Sequence, residues 1–275
     1  MEYNKVQNIA TLCEKIELQP EIKNRVLSFA ENYDFKTVDD YQTDYFIYEN
    51  MNEARISTQA ELGEDEDGIK ILACMLRAAV EAYEIYEDIG ISDEIYYATM
   101  KCFPRFIKET YEMTGKLSFD RYWWTTRQVG CHLFRIGELE YEIKYIDGGI
   151  VIGLHIPSDA DFSPVAVDES LRMAHEIFEK YYPQLKDAEY RCHSWLLDNQ
   201  LKDMLGEGSN IINFQNRFEI YDDGEKGTEF VEWVFKTKST DYNNLPEETS
   251  LQRNLKKHIL AGGVIRDAYG RMRRM

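Results

Sequence analysis

Apolar residues recur at two different periods along this chain, and the change between them divides it. Up to about residue 137 the spacing is helical. Val6, Ile9, Cys13 and Ile16 fall three or four residues apart and predict a first amphipathic helix. Pro20 fits the first turn of a second, where its missing N–H leaves no bond unmade, and Ile22, Val26 and Phe29 supply the buried side. The stretch 34–66 is polar, tyrosine-rich and weakly periodic. Its Glu64-Asp65-Glu66-Asp67 run reads as an exposed loop or a helix start, where negative charge complements the dipole. From about Ile69 to Ile89 strong helix formers carry a broad stripe of Leu72, Met75, Leu76, Ala79, Val80, Tyr83 and Tyr86, and Gly90 is placed to end it. Ser92 reads as the cap of a helix holding Ile95, Met100, Phe103 and Ile107, which Pro104 should kink or split. A last helix is expected from about Ser118 to Phe134, stopped by Gly137. Its Tyr122, Trp123 and Trp124 read as core, and His132 as a satisfied residue rather than a ligand.

At Glu138 the period shortens to two. Leu139, Tyr141, Ile143 and Tyr145 alternate with Glu138, Glu140, Glu142 and Lys144, the pattern of a half-buried strand with Glu142 facing solvent. Asp147-Gly148-Gly149 is a hairpin signal, and Ile150, Ile152, Leu154 and Ile156 form the returning strand. Val151, Gly153 and His155 take its other face, with Gly153 leaving open space beside His155. After a loop at 157–162, Ser163 and Pro164 open a helix that buries Val167, Leu171, Ala174, Ile177 and Phe178. Residues 188–195 predict a strand, and 198–205 a short helix with Asp198 as its cap. Residues 210–218 lean towards helix, with Ser209 as its cap. Residues 218–221 and 230–235 read as two strands around a glycine-containing loop. Thr249 and Gln252 match a capping box ahead of a helix with Leu251, Leu255 and Ile259 on its buried stripe. The tail beyond Gly262-Gly263 reads as a solvated, frayed end. The order predicts an α+β protein: a helical domain over 1–137, then a domain over 138–275 with a mostly antiparallel mixed sheet.

Composition narrows the function. Of 275 residues 44% are hydrophobic, enough for two modest cores. The 50 acidic and 32 basic side chains give a formal charge of −18, which repels phosphate backbones and argues against nucleic acid as a general partner. No apolar run reaches membrane-spanning length and the first residues lack an apolar signal core, so a cytoplasmic protein with a small-molecule substrate is expected. The five scattered cysteines suit reduced thiols. Neither they nor the histidines show metal-ligand spacing, and no metal is expected. Arg266, Arg271, Arg273 and Arg274 form the one cationic cluster available to an anionic cofactor.

The densest chemistry lies between Tyr190 and Asp198, where Cys192, His193, Ser194 and Trp195 follow one another. On a strand, neighbouring side chains face opposite sides, so His193 cannot serve Cys192 or Ser194. His155 would have to be the base for any Cys192 nucleophile, as in a thioesterase or ping-pong transferase. A buried structural thiol is the simpler reading of Cys192.

The runs Arg121-Tyr122-Trp123-Trp124, 134–142, 153–157, 192–198, 209–215 and 245–253 resemble the bacterial GNAT-like acyltransferase-domain proteins, in which an all-helical N-terminal domain precedes a GNAT-like domain with helices on both faces of its sheet. The resemblance implies an acyl-CoA-dependent N-acyltransferase working by direct transfer to an amine. It implies that strands 150–156 and 188–195 are parallel neighbours that splay apart, with acyl-coenzyme A in the gap. His155 and His193 would sit at its lips, one of them the base, with Glu142 as orienter and Cys192 and Ser194 beside them. Ser158, Ser163 and Arg191 would face the cofactor. The chain departs from the family pattern at 157–163, which has no glycine and carries Asp159 and Asp161. That departure supports a different reading, a non-catalytic binding or regulatory module of the same shape.

Overall fold

The computed structural model describes residue 6, residues 8–146 and residues 149–273. Contacts divide the chain into two compact units, Met1–Ile136 and Gly137–Met275.

The first unit holds α1 (Ile9–Lys15), α2 (Pro20–Asn32), α3 (Asp39–Asp44), α4 (Met51–Leu62), α5 (Ile69–Ile89), α6 (Asp93–Met100), α7 (Cys102–Thr114), α8 (Tyr122–Val129) and β1 (Leu133–Ile136). Its centre is α5, where Leu72, Ala73, Cys74, Met75 and Leu76 are all buried, so the middle of the helix is enclosed on every side. The Tyr96 hydroxyl donates to Ala79 O at 2.7 Å and Gln42 Nε2 to Cys74 O at 2.6 Å, so these two polar side chains buried beside α5 are satisfied. The acidic run before α5 is used: the Asp65 carboxylate accepts from Lys70 N and Ile71 N at 3.1 and 2.9 Å, closing the first turn. Gly68 at that turn has φ +71°, and a Cβ there would stand 2.0 Å from Phe119 O, so only glycine fits. The break expected near Pro104 falls at Lys101, which puts the proline in the first turn of α7, where it removes no helical bond.

Two expectations for this unit are corrected. The weakly periodic stretch 34–66 contains α3 and α4; in α4 the buried positions are Met51, Ala54, Thr58 and Leu62, helically spaced but half of them scarcely hydrophobic. The helix expected to Phe134 ends at Val129. Cys131, at φ +60°, then turns the chain into β1, whose four residues are all buried and therefore show no alternation.

The second unit holds β2 (Leu139–Ile146), β3 (Gly149–His155), α9 (Pro164–Tyr181), β4 (Tyr190–Ser194), α10 (Leu201–Met204), α11 (Asn210–Gln215), β5 (Phe218–Lys226), α12 (Glu229–Phe235), α13 (Ser250–Leu260) and β6 (Arg266–Met272). Its strands follow the order β2-β3-β4-β6-β5, with β3 and β4 parallel and the other pairs antiparallel. Asp147 and Gly148 of the expected hairpin, and Arg274, lie outside the described residues. Helix α9 covers one face of β2: Ser170 Oγ lies 2.9 Å from the Tyr141 hydroxyl and accepts from Leu139 N at 3.1 Å, and Phe178 meets the Tyr141 ring edge-on. The capping box of α13 is present as expected.

Here too the structure departs from expectation. Residues 230–235 form α12, not a strand. Phe230, Val231 and Phe235 bury against Trp195 and Leu255, and this tertiary burial outweighs the β-propensity of an aromatic, β-branched run. The tail is not frayed, since β6 pairs with both β4 and β5. Its inward residues are Ala268 and Gly270, and a Cβ on Gly270 would lie 2.8 Å from Leu197 Cδ1, so the buried side of β6 had to be small. Asp198 does not cap the helix expected over 198–205, which starts at Leu201 with Gln200 as its cap; at 4% exposure it accepts from Gln200 N at 2.9 Å through Oδ1 and from Arg266 N at 2.7 Å through Oδ2, tying the chain after β4 to the start of β6. Asp198→Ala leaves those donors without acceptors, and urea unfolding is expected to show a loss of about 2–4 kcal/mol. Asp198→Asn, which keeps one acceptor, is expected to lose less.

Candidate active site

Strand register sorts the candidate residues by face. β2 and β3 pair Glu140 with His155 and Glu142 with Gly153, while β3 and β4 pair Gly153 with Arg191. β4 and β6 pair His193 with Tyr269 and Arg191 with Arg271. Paired residues share a face, so Glu140, Glu142, Lys144, Gly153, His155, Arg191, His193, Tyr269 and Arg271 all point to one side. Tyr141, Tyr190, Cys192 and Ser194 point to the other, the side on which α9 meets Tyr141.

The strands β3 and β4 pair at Ile152–Tyr190 and Gly153–Arg191 and then separate; Leu154–His155 and Cys192–Ser194 run on without pairing to each other. At the lip of that opening His155 Nε2 lies 2.8 Å from Glu142 Oε2. A carboxylate only accepts, so Nε2 is the donor in this contact. Glu142 is 1% exposed and His155 20%. Glu142 is therefore not the solvent-facing acid its alternation predicts. The space expected beside Gly153 is also not open. The Lys144 stem lies in it, and Lys144 Nζ comes within 3.4 Å of the same Glu142 Oε2.

His193 is exposed and stacks on Tyr269 with ring centres 3.9 Å apart and planes 9° apart; Tyr221 lies 6.3 Å further along. It shares the face of His155 on the next strand. Cys192 is buried, and burial pushes its thiol up to about 12, with Lys144 opposing that rise. Ser194 Oγ accepts from Leu196 N at 3.1 Å, capping the turn after β4. Of the five residues expected to carry chemistry, the structure joins His155 with Glu142, sets His193 on their face, and turns Cys192 and Ser194 away.

The expected anion contacts are engaged within the protein. Arg191 donates to Glu189 Oε2 through Nε and Nη2 at 2.9 and 2.7 Å. Ser163 Oγ accepts from Ala166 N at the start of α9. Ser163 N donates to Asp161 Oδ1, and Asp161 N to Glu138 Oε2. Ser158 is exposed in the same loop. Two members of the expected C-terminal arginine cluster are set apart. Arg266 and Arg271 fall on opposite faces of β6; Arg266 bonds Gly224 O, and Arg271 pairs with Glu189 and Glu219. A cation that the sequence reading missed, Arg217, stands at the first turn of α9, bonded to Pro164 O and to Asp168. Lys144 was missed as well, although its place two residues after Glu142 on one strand face was the available signal.

A family model described as GNAT-like C-terminal domain matches residues 133–272, and one described as N-acyltransferase N-terminal domain matches residues 7–131. Among solved structures, an acyltransferase in complex with decanoyl-CoA and teicoplanin is 23% identical, covering 95% of this chain and 86% of that one at a TM-score of 0.81. A mutant acyltransferase in complex with octanoyl-CoA is 22% identical, covering 96% and 87% at the same TM-score. At such identities the likeness is one of fold. No curated protein matches the chain. No helix among the described residues is long and apolar enough to cross a membrane.

The setting of Cys192 gives a direct test of the covalent route. With its thiol held at about 12, roughly one molecule in ten thousand is thiolate at pH 8. Iodoacetamide is expected to leave Cys192 unlabelled in the folded protein and to alkylate it readily in urea, read by peptide mass mapping. Rapid labelling of the folded protein would restore Cys192 as a nucleophile.

Proposed function

We propose that this chain, which belongs to the GNAT-like C-terminal domain family and carries an N-acyltransferase N-terminal domain ahead of it, transfers an acyl group from a coenzyme A thioester directly to an amine. The observation that carries this reading is the His155–Glu142 pair standing where β3 and β4 stop pairing. Past Gly153 and Arg191 the facing strand edges keep their directional N–H and C=O groups, and an extended chain bearing amides is the kind of ligand that such edges take up. The pantetheine arm of coenzyme A is such a chain. It would bring the thioester to the lip where His155 stands.

In the proposed reaction the amine nitrogen attacks the thioester carbonyl carbon, forming the C–N bond. His155 Nδ1 takes the amine proton, while Glu142 holds the ring through Nε2 and stabilises the imidazolium that forms. The C–S bond then breaks, coenzyme A leaves as thiolate, and the proton on His155 is available to it. No covalent enzyme intermediate is needed, in keeping with a buried, protonated Cys192. The solved acyltransferase that holds decanoyl-CoA and teicoplanin in one structure supports a route in which donor and a second molecule are bound together. The phosphate end is the weaker part of the fit, because the loop before α9 spends its backbone donors internally and carries two acids.

A panel of acyl-CoA esters of increasing chain length is expected to raise the melting temperature, and to acylate an amine acceptor with release of free coenzyme A thiol. His155→Gln is expected to lower kcat by about 10²–10⁴ with the thermal shift retained. Absence of any shift across the panel would sink the acyl-CoA reading. Full activity of His155→Gln would move the base to another residue, with His193 next to be tested.

A further inference from the structure

We infer that Lys144 and Gly153 together form a positioning device for the Glu142–His155 pair: Lys144 is a positioning residue that fixes the carboxylate, and Gly153 lacks a side chain so that the lysine can reach it. The inference rests on His155 being the base. Glu142 is 1% exposed, and a carboxylate removed from water in this way is held in place by its partners. Two groups converge on its Oε2, His155 Nε2 at 2.8 Å and Lys144 Nζ at 3.4 Å. The ammonium adds a charged contact to the same oxygen that the imidazole meets, and so restrains the carboxylate that orients the ring. This matters because proton transfer is sensitive to the direction in which Nδ1 points.

The route of the lysine is the second observation. Lys144 does not extend straight from β2 into solvent; its stem crosses β3 over Gly153. A Cβ on Gly153 would stand 2.6 Å from Lys144 Cδ and 3.3 Å from its Cγ, so the stem would have to shift, while His155 Nε2 at 3.5 Å would be in ordinary contact. Gly153 is not in a left-handed conformation and ends no strand, so turn geometry does not account for a glycine there. The lysine stem does. Because a Cβ would push the stem aside while leaving its charge in the protein, Gly153→Ala separates the position of the ammonium from its presence.

The experiment measures kcat and KM for an acyl-CoA donor in Lys144→Met, Lys144→Arg, Gly153→Ala and the Lys144→Met/Gly153→Ala double variant, with His155→Gln alongside. Lys144→Met is expected to lower kcat roughly tenfold to a hundredfold while KM for the donor stays within about twofold. Lys144→Arg, which can still reach the carboxylate, is expected to recover most of kcat. Gly153→Ala should reproduce the loss of Lys144→Met, and the double variant should be no worse than either. Unchanged kcat in Lys144→Met, or losses that multiply in the double variant, would overturn the inference. If Lys144→Met does not fold, judged by its melting curve, Gly153→Ala decides alone, and full kcat in it overturns the inference. Loss in His155→Gln with none in Lys144→Met removes this inference and keeps the base; no loss in His155→Gln removes the base itself.

Discussion

Everything proposed for this protein depends on two parallel strands that stop pairing too soon. β3 and β4 share register at Ile152–Tyr190 and Gly153–Arg191, and then each continues without the other. Leaving a sheet open along its middle is costly, because unpaired backbone groups must find other partners. The cost is contained because each strand is held on its far side. β2 pairs with β3 through His155, and β6 pairs with β4 through Ser194. The opening is therefore a feature of a rigid sheet and not a frayed edge. It sets the strand ends apart while fixing where their side chains point.

Side-chain alternation then decides which chemistry reaches the opening. In the register found, His155, Glu142 and His193 share a face, and Cys192 and Ser194 take the opposite one. Shifting β4 by one residue would turn His193 away and put a thiol and a hydroxyl at the lip, and shifting β3 would turn His155 away. The register is held from the buried face, where Tyr141 bonds Ser170 of α9 and stands edge-on to Tyr190. Packing on the α9 side thus places an imidazole–carboxylate pair on the other side and keeps the thiol away from it.

Much of this was legible in the sequence. The shift from a period of three to four to a period of two at Glu138, the helix stop at Gly90 and the Thr249–Gln252 capping box each state a local rule that the fold obeys. What escaped notice are elements whose burial leaves no alternating or strongly periodic hydrophobic trace. β6 buries Ala268 and Gly270, α4 buries Ala54 and Thr58, and β1 is buried along its whole length. In α12 an apparent strand pattern yields to the cluster around Trp195 and Leu255. The site was half legible in the same way. Both histidines and Glu142 as orienter could be picked out, but the burial of Glu142 could not, because on an alternating strand a glutamate reads as solvent-facing.

The acidic surface and the anionic donor pull against each other, and the structure indicates how the conflict is arranged. The carboxylates nearest the first turn of α9 are tied down: Asp161 accepts from Ser163 N, and Asp168 is held by Arg217, which also bonds Pro164 O. The Glu189 carboxylate is likewise shared between Arg191 and Arg271, and these contacts hold it well below the usual range. Neutralising acids in place weakens their repulsion of phosphate without creating a strong grip. In the proposed reaction, binding energy for a coenzyme A thioester would then come mainly from the opening between β3 and β4, from the pantetheine and acyl portions and not from the phosphates. Recognition would sit next to the bond that breaks, where it would align the thioester with His155 as well as retain it.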